Sequence, residues 1–272
     1  MMRSLWSAAS GMIAQQTAVD SIAHNLANVN TNGYKTEKAE FKTLLYQTLQ
    51  TRTTTANGER KPIDAQVGLG TRVASITSYF GQGPMLESES DTAFAINGDG
   101  FFSVRGADGN TYYTRKGDFK LSMEADGFKT LVTAEGYPVL DTNGNPIRIP
   151  GDVSTTRLSV SDEGAFGYLD PQGNFVDLNA SFGIYQFSNP SGLEKLSNSL
   201  LQVTDVSGAA ISEDTNPNLV QSVIRIGYLE GSNVQVADEM VNLIVAQRAY
   251  EMNSKAIQAS DDMLGQANQL KR

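Results

Sequence analysis

His24 is the only imidazole in the chain, and there is no cysteine. Catalysis would have to rest on that ring, on hydroxyls, or on some of the 30 Asp and Glu side chains. A Ser-His-Asp arrangement needs a carboxylate to orient the ring, and His24 stands beside Asn25 and Asn28 with Asp20 the one acidic residue a helical turn away. The absence of cysteine excludes disulfides, thiolate metal sites and a thiol nucleophile. Carboxylate pairs always occur among so many acids, but none forms a distinctive constellation. Asp141-Thr142-Asn143-Gly144-Asn145 has the spacing of a calcium loop, yet Pro146 stands where the loop needs Gly, and Asp152 where it needs a bidentate Glu. A hairpin turn explains it. Gly98-Asp99-Gly100 lacks the third glycine of a phosphate-cradling turn and runs into a β-rich stretch. Asn179-Ala180-Ser181 is a sequon only in a host that glycosylates it. No catalytic, cofactor-binding or metal-ligating residue is assigned, and no cofactor.

The elements that could organise a function lie at the two ends. From Ser4 to Val29 the spacing predicts one long helix, in which Leu5, Met12, Val19 and Leu26 recur every seventh residue and Ala9 and Ala23 fill half-heptad positions. Between Arg3 and Lys35 its only ionic side chain besides His24 is Asp20. A helix exposed on a monomer normally carries Lys and Glu on its wet face. Amides, hydroxyls and small residues instead suit a helix touched on several sides, because they are desolvated at modest cost. From Val236 to Leu270 a second helix is expected, with one heptad stripe through Val236, Leu243, Tyr250, Ile257 and Leu264. A second stripe runs through Val241, Ile244, Val245, Met252, Ala256, Ala259 and Met263. Two stripes imply two contact faces. The simplest arrangement pairs the two helices as a coiled coil, each roughly 40 to 50 Å long.

The net charge of -9 and the pI near 4.7 argue against a nucleic-acid partner. The segment after Arg3 gives no unbroken apolar run of a secretory signal, and no window approaches the 18 apolar residues of a membrane span. Asn32-Gly33 is placed to end the first helix. Glu37 to Leu49 reads as a short helix or an extended arm, and Thr51 to Gln66, with Asn57-Gly58, as an exposed loop or hairpin. From Gly70 to Gly231, runs rich in Val, Ile, Phe, Tyr and Thr alternate with turn signals such as Asn97-Gly98, Asp108-Gly109, Asp126-Gly127, Glu135-Gly136, Asn143-Gly144, Asp162-Glu163-Gly164 and Gln172-Gly173. The best-marked strands are Thr71–Phe80, Phe101–Arg105, Thr111–Arg115, Phe119–Met123, Leu158–Ser161, Phe182–Phe187 and Gln221–Leu229. The expected fold is α+β: paired long N- and C-terminal helices with an inserted all-β domain of hairpins. Its parts are 1–35 (first helix), 36–69 (connecting arm and loop), 70–231 (β domain) and 232–272 (second helix).

Three stretches resemble the bacterial flagellar rod and hook proteins. Ala9-Ser10-Gly11-Met12 with Ile22-Ala23-His24-Asn25-Leu26-Ala27-Asn28-Val29-Asn30-Thr31-Asn32-Gly33-Tyr34-Lys35 is similar to their N-terminal signature. Gln247-Arg248-Ala249-Tyr250-Glu251-Met252-Asn253-Ser254-Lys255-Ala256-Ile257 is similar to their C-terminal one, and Ile96-Asn97-Gly98-Asp99-Gly100-Phe101-Phe102 to their shared β-domain entry. Length, Leu45-Tyr46-Gln47-Thr48 and the form of the C-terminal match favour the distal-rod branch over the hook and proximal-rod branches. The Thr51–Gln66 segment does not align with that branch's pattern. The resemblance implies a structural subunit of the basal body, exported by the flagellar type III apparatus without a cleavable signal. It would polymerise with itself and adjacent rod and hook proteins into a hollow, torque-transmitting shaft around the export channel, with bushing ring proteins outside. Leu5, Met12, Val19, Leu26, Val236, Leu243, Tyr250, Ile257 and Leu264 are then the expected subunit-interface seams. A cell-wall hydrolase built on carboxylates and a ligand-binding β module are the competing classes; both leave the heptad helices unexplained.

Overall fold

The computed structural model describes residues 2–50, 65–124, 126–151, 153–154, 158–161, 165–170, 174–216 and 219–270. Most of the expected Thr51–Gln66 loop lies outside them, as do Asp152, the Asp162-Glu163-Gly164 turn and Gln172-Gly173. The order of elements is a long helix, α1 (Met2–Ala27), then a series of short strands, then a second long helix, α2 (Val236–Gln269). The α+β architecture expected from the sequence is the one observed. The chain forms two compact units, one of Met1–Ala27, Glu37–Ser78 and Gln235–Arg272, the other of Asn28–Thr36 and Tyr79–Val234.

In the first unit α1 packs on α2 and on two antiparallel strands, Glu37–Thr43 and Thr71–Ser78, which pair with a bulge between Glu40 and Phe41. The arm continues into a second hairpin, Tyr46–Gln50 against Ala65–Gly68. Residues 37–50 are therefore extended. The helical spacing of Phe41, Leu44, Leu45 and Leu49 is overridden by strand pairing, and Phe41 and Leu45 remain exposed. α2 begins where Gln235 turns from extended backbone, and Asp238 and Glu239 in its first turn complement the helix dipole.

The second unit is built of antiparallel strands. Its largest sheet has six, in the order Glu194–Lys195, Leu201–Gln202, Thr111–Thr114, Phe101–Arg105, Ile184–Gln186, Ile211–Ser212. Strand alternation explains its two cores. Phe101 packs with Tyr113, Phe187, Leu193 and Leu201, while its neighbour Phe102 points the other way with Val104 into a cluster containing Phe94, Phe119, Leu131, Phe166 and Phe182. The sheet is thus covered on both faces. The expected strand Gln221–Leu229 is two strands, Val223–Ile226 and Tyr228–Glu230, divided at Gly227 with φ 77°. Asp141 closes the suspected calcium loop as a turn, its Oδ1 accepting the amides of Asn143 at 2.8 Å and Asn145 at 2.7 Å.

Candidate functional site

Within the first unit the two helices run antiparallel, joined by layers seven residues apart. The hydroxyls of Ser4 and Ser260 lie 3.3 Å apart. Gly11 faces Asn253 so closely that an added Cβ would lie 2.9 Å from the Asn253 amide nitrogen. Asn25 Nδ2 donates to Glu239 Oε2 at 3.3 Å. This register places Ala18 opposite Ala246, which is buried. Small residues at such layers let two backbones approach closely, and the polar ones satisfy each other. Asn25, 1% exposed, also treats the first residue of the arm as a strand partner would. Its Nδ2 donates to the Glu37 carbonyl at 2.8 Å and its Oδ1 accepts the Glu37 amide at 2.9 Å. Ser21 adds a second bond to the same carbonyl.

The expected seam residues occupy defined places. Leu5, Met12, Val19 and Leu26 are half-buried and lie one residue, about 100° around α1, from the line Ser4, Gly11, Ala18, Asn25. On α2, Leu243, Ile257 and Leu264 are half-buried, whereas Val236 and Tyr250 are exposed. The other stripe of α2 is open: Val241, Ile244, Val245 and Met252 are 55–66% exposed. Trp6 and Ile13 on α1 are 71% and 65% exposed. A run of large apolar side chains in water along both helices marks a surface meant to be covered.

The lone imidazole lies beside a carboxylate of the arm. His24 Nδ1 lies 3.6 Å from Glu37 Oε2, and its side chain is 55% exposed. That carboxylate comes from the arm, so a search along the helix does not find it. Among the described residues no three His, Asp or Glu side chains gather as a metal site.

The second unit holds a charged centre that sequence reasoning missed. Glu230, 1% exposed, accepts Lys35 Nζ at 2.7 Å and the Gly83 amide at 2.9 Å on Oε1, and Arg115 Nη1 at 3.3 Å on Oε2. Lys35 also donates to the Gly81 carbonyl at 2.9 Å, and Arg115 to Gly98 at 2.8 Å. The Arg115 guanidinium lies over the Phe101 ring, 4.9 Å from its centroid. Burial pulls the Lys35 amine below its ordinary value against the opposing pull of Glu230, and Arg115 is lowered for the same reason. Nearby, Asn233 accepts both the amide and the hydroxyl of Thr36 at 2.7 Å and donates to the carbonyls of Tyr79 at 2.9 Å and Gly81 at 3.1 Å. Gly33, with φ 71°, donates to the Glu230 carbonyl at 2.8 Å. A Cβ there would meet the Arg115 backbone at 2.9 Å, so both conformation and space require glycine. Three segments remote in sequence, 28–36, 79–84 and 230–234, are thereby clamped together. Lys35 closes the N-terminal signature and Arg115 ends an expected strand, but only the fold brings them to one carboxylate.

Family models match in three places: "Flagella basal body rod protein" over residues 5–35, "Flagellar hook protein FlgE/F/G D1 domain" over 95–168, and "Flagellar basal body rod FlgEFG protein C-terminal" over 225–270. The flagellar basal-body rod protein FlgG of Borreliella burgdorferi is 44% identical over 100% of both chains. FlgG of Bacillus subtilis is 36% identical over 100% of both, and the hook-basal body complex protein FlhP of the same organism 31%. With α1, the start of the β unit and α2 each matched, and relatives aligned from end to end, the chain belongs to the flagellar basal-body rod protein family, as a structural subunit of the rod.

Proposed function

We propose that this subunit builds the distal part of the rod, polymerising helically into a hollow shaft that surrounds the export channel and transmits torque. The observation that carries this reading is the open apolar surface of the terminal helices, Trp6 and Ile13 on α1 and Val241, Ile244, Val245 and Met252 on α2. Helical assembly gives every such face a partner on another copy. Individually weak contacts then add along and around the tube. The stripes Leu5, Met12, Val19, Leu26 and Val236, Leu243, Tyr250, Ile257, Leu264 contribute seam contacts to neighbours.

Its partners are further copies, the rod and hook proteins above and below, the type III export apparatus and the ring proteins around the shaft. Its place is the flagellar basal body, and its work is mechanical, with no catalysis. The higher identity to the Bacillus subtilis FlgG than to its FlhP favours the FlgG-like position in the rod. Amide hydrogen exchange on the free chain and on polymer tests the proposal. Residues 4–27 and 236–269 are expected to exchange faster than Phe101–Arg105 in the free chain and to become protected in the polymer. Equal protection in both states would refute it.

A further inference from the structure

We infer that the polar layers between α1 and α2 are a register lock: Asn25 with Glu239, and Gly11 with Asn253, permit one antiparallel alignment of the two helices and penalise the alignments one heptad away. Heptad helices rich in Ala, Ser and Gly are poorly discriminated by apolar packing, since methyls and hydrogens substitute for one another along the seam. A polar residue at a seam position is the device that fixes alignment in coiled coils. Here each direction of sliding carries its own penalty.

Sliding one way sets Glu239 opposite Ala18 and Asn253 opposite Ser4, and leaves Asn25 beyond the start of α2. The Glu239 carboxylate, 6% exposed, then loses the Asn25 amide. A buried acid without its donor is strongly disfavoured. Sliding the other way sets Asn25 opposite Ala246 and Asn253 opposite Ala18, and carries Glu239 past the end of α1. Asn253 then meets a methyl where it now faces the open notch of Gly11, 2.9 Å from a Cβ position. Asn25 would also leave Glu37, whose amide and carbonyl it satisfies. The lock thus couples helix register to the position of the arm.

The chain has no cysteine, so introduced pairs report alignment without background. Ser4→Cys with Ser260→Cys reads the observed register, where the hydroxyls lie 3.3 Å apart. Ser4→Cys with Asn253→Cys reads the first slid register. Both are prepared in the full chain with Glu239 retained and with Glu239→Leu, which keeps the seam apolar and removes the Asn25–Glu239 part of the lock. Disulfide formation under a mild oxidant is then timed.

With Glu239 retained, the 4–260 pair is expected to close within one chain and the 4–253 pair to lag. Glu239→Leu should raise the ratio of slid to native closure about tenfold, equivalent to 1.4 kcal/mol. An unchanged ratio would assign the register to the chain connections at residues 28 and 234, and overturn the inference. Disulfides joining two chains would overturn it as well.

Discussion

Replacing Glu230 by Gln keeps the shape of the clamp and removes its only anion. The Gly83 amide can still be accepted by the Gln carbonyl, but Lys35, 2.7 Å away, and Arg115, 3.3 Å away, lose the carboxylate bonded to both and keep only the weaker pull of Asp99 and, for Arg115, Glu213. Each charge-assisted bond contributes about 1.5–3 kcal/mol, and breaking a buried pair from one side costs about 3–5 kcal/mol, so a loss of about 3–5 kcal/mol is expected. Lys35 can relieve part of it by releasing its proton, to which burial already inclines it. Arg115 has no such escape.

Urea unfolding followed by circular dichroism measures the loss, and hydrogen exchange places it, with faster exchange expected for residues 28–36 and 79–84. Replacing all three charges together (Lys35→Met, Arg115→Leu, Glu230→Leu) should cost less than Glu230→Gln alone, because desolvation of the ions is removed with their attraction. A loss below about 1 kcal/mol for Glu230→Gln, the range of an exposed pair, would refute the clamp as a closed electrostatic unit.

Met252→Asp and Val245→Asp, at positions 66% and 61% exposed, should leave the free chain folded yet abolish assembly, because the charge would be buried only in the polymer; normal sedimentation of rods would refute it. Alkaline titration should expose two groups with opposite signs. The Lys35 amine is lowered below 10.5 chiefly by burial, so between its native value and 10.5 the unfolded chain holds more protons and stability rises with pH; Lys35→Met should lack that gain. Burial raises the Tyr113 phenol to about 12, so above pH 10 the unfolded chain loses its proton first and stability falls until about pH 12; Tyr113→Phe should remove that fall.

The ends of the chain were legible because their signal is periodic and long. Heptads of Leu, Met and Val marked both helices within two residues of their observed limits, and the scarcity of charge on α1 pointed to partners on several sides. Strong turn pairs such as Asn143-Gly144 marked the β unit, where alternation alone was diluted by strands buried on both faces, as Phe101 and Phe102 are. The close layers between the helices were hidden for a physical reason. Ser4, Gly11, Ala18 and Asn25 fall outside an apolar template, although they repeat every seventh residue next to the larger side chains. The clamp was hidden differently: Lys35, Arg115 and Glu230 are separated by 80 and 115 residues, counting from Lys35 to Arg115 and from Arg115 to Glu230, and nothing local marks a charge that will be buried.

The position of the clamp explains why charges so scarce in α1 are concentrated beneath the β unit's surface. The chain passes between its two compact units four times, after residues 27, 36, 78 and 234. Every segment on the β side of those crossings, 28–36, 79–84 and 230–234, is tied through Glu230 or Asn233. None can shift without breaking a bond to a buried charge or to an amide that holds two segments at once. Apolar packing tolerates small sliding, whereas short charge-assisted bonds in a desolvated site do not. In the proposed shaft, load passing along the chain would meet directional bonds at these segments, and the apolar surface of the helices would be left for contacts with other copies.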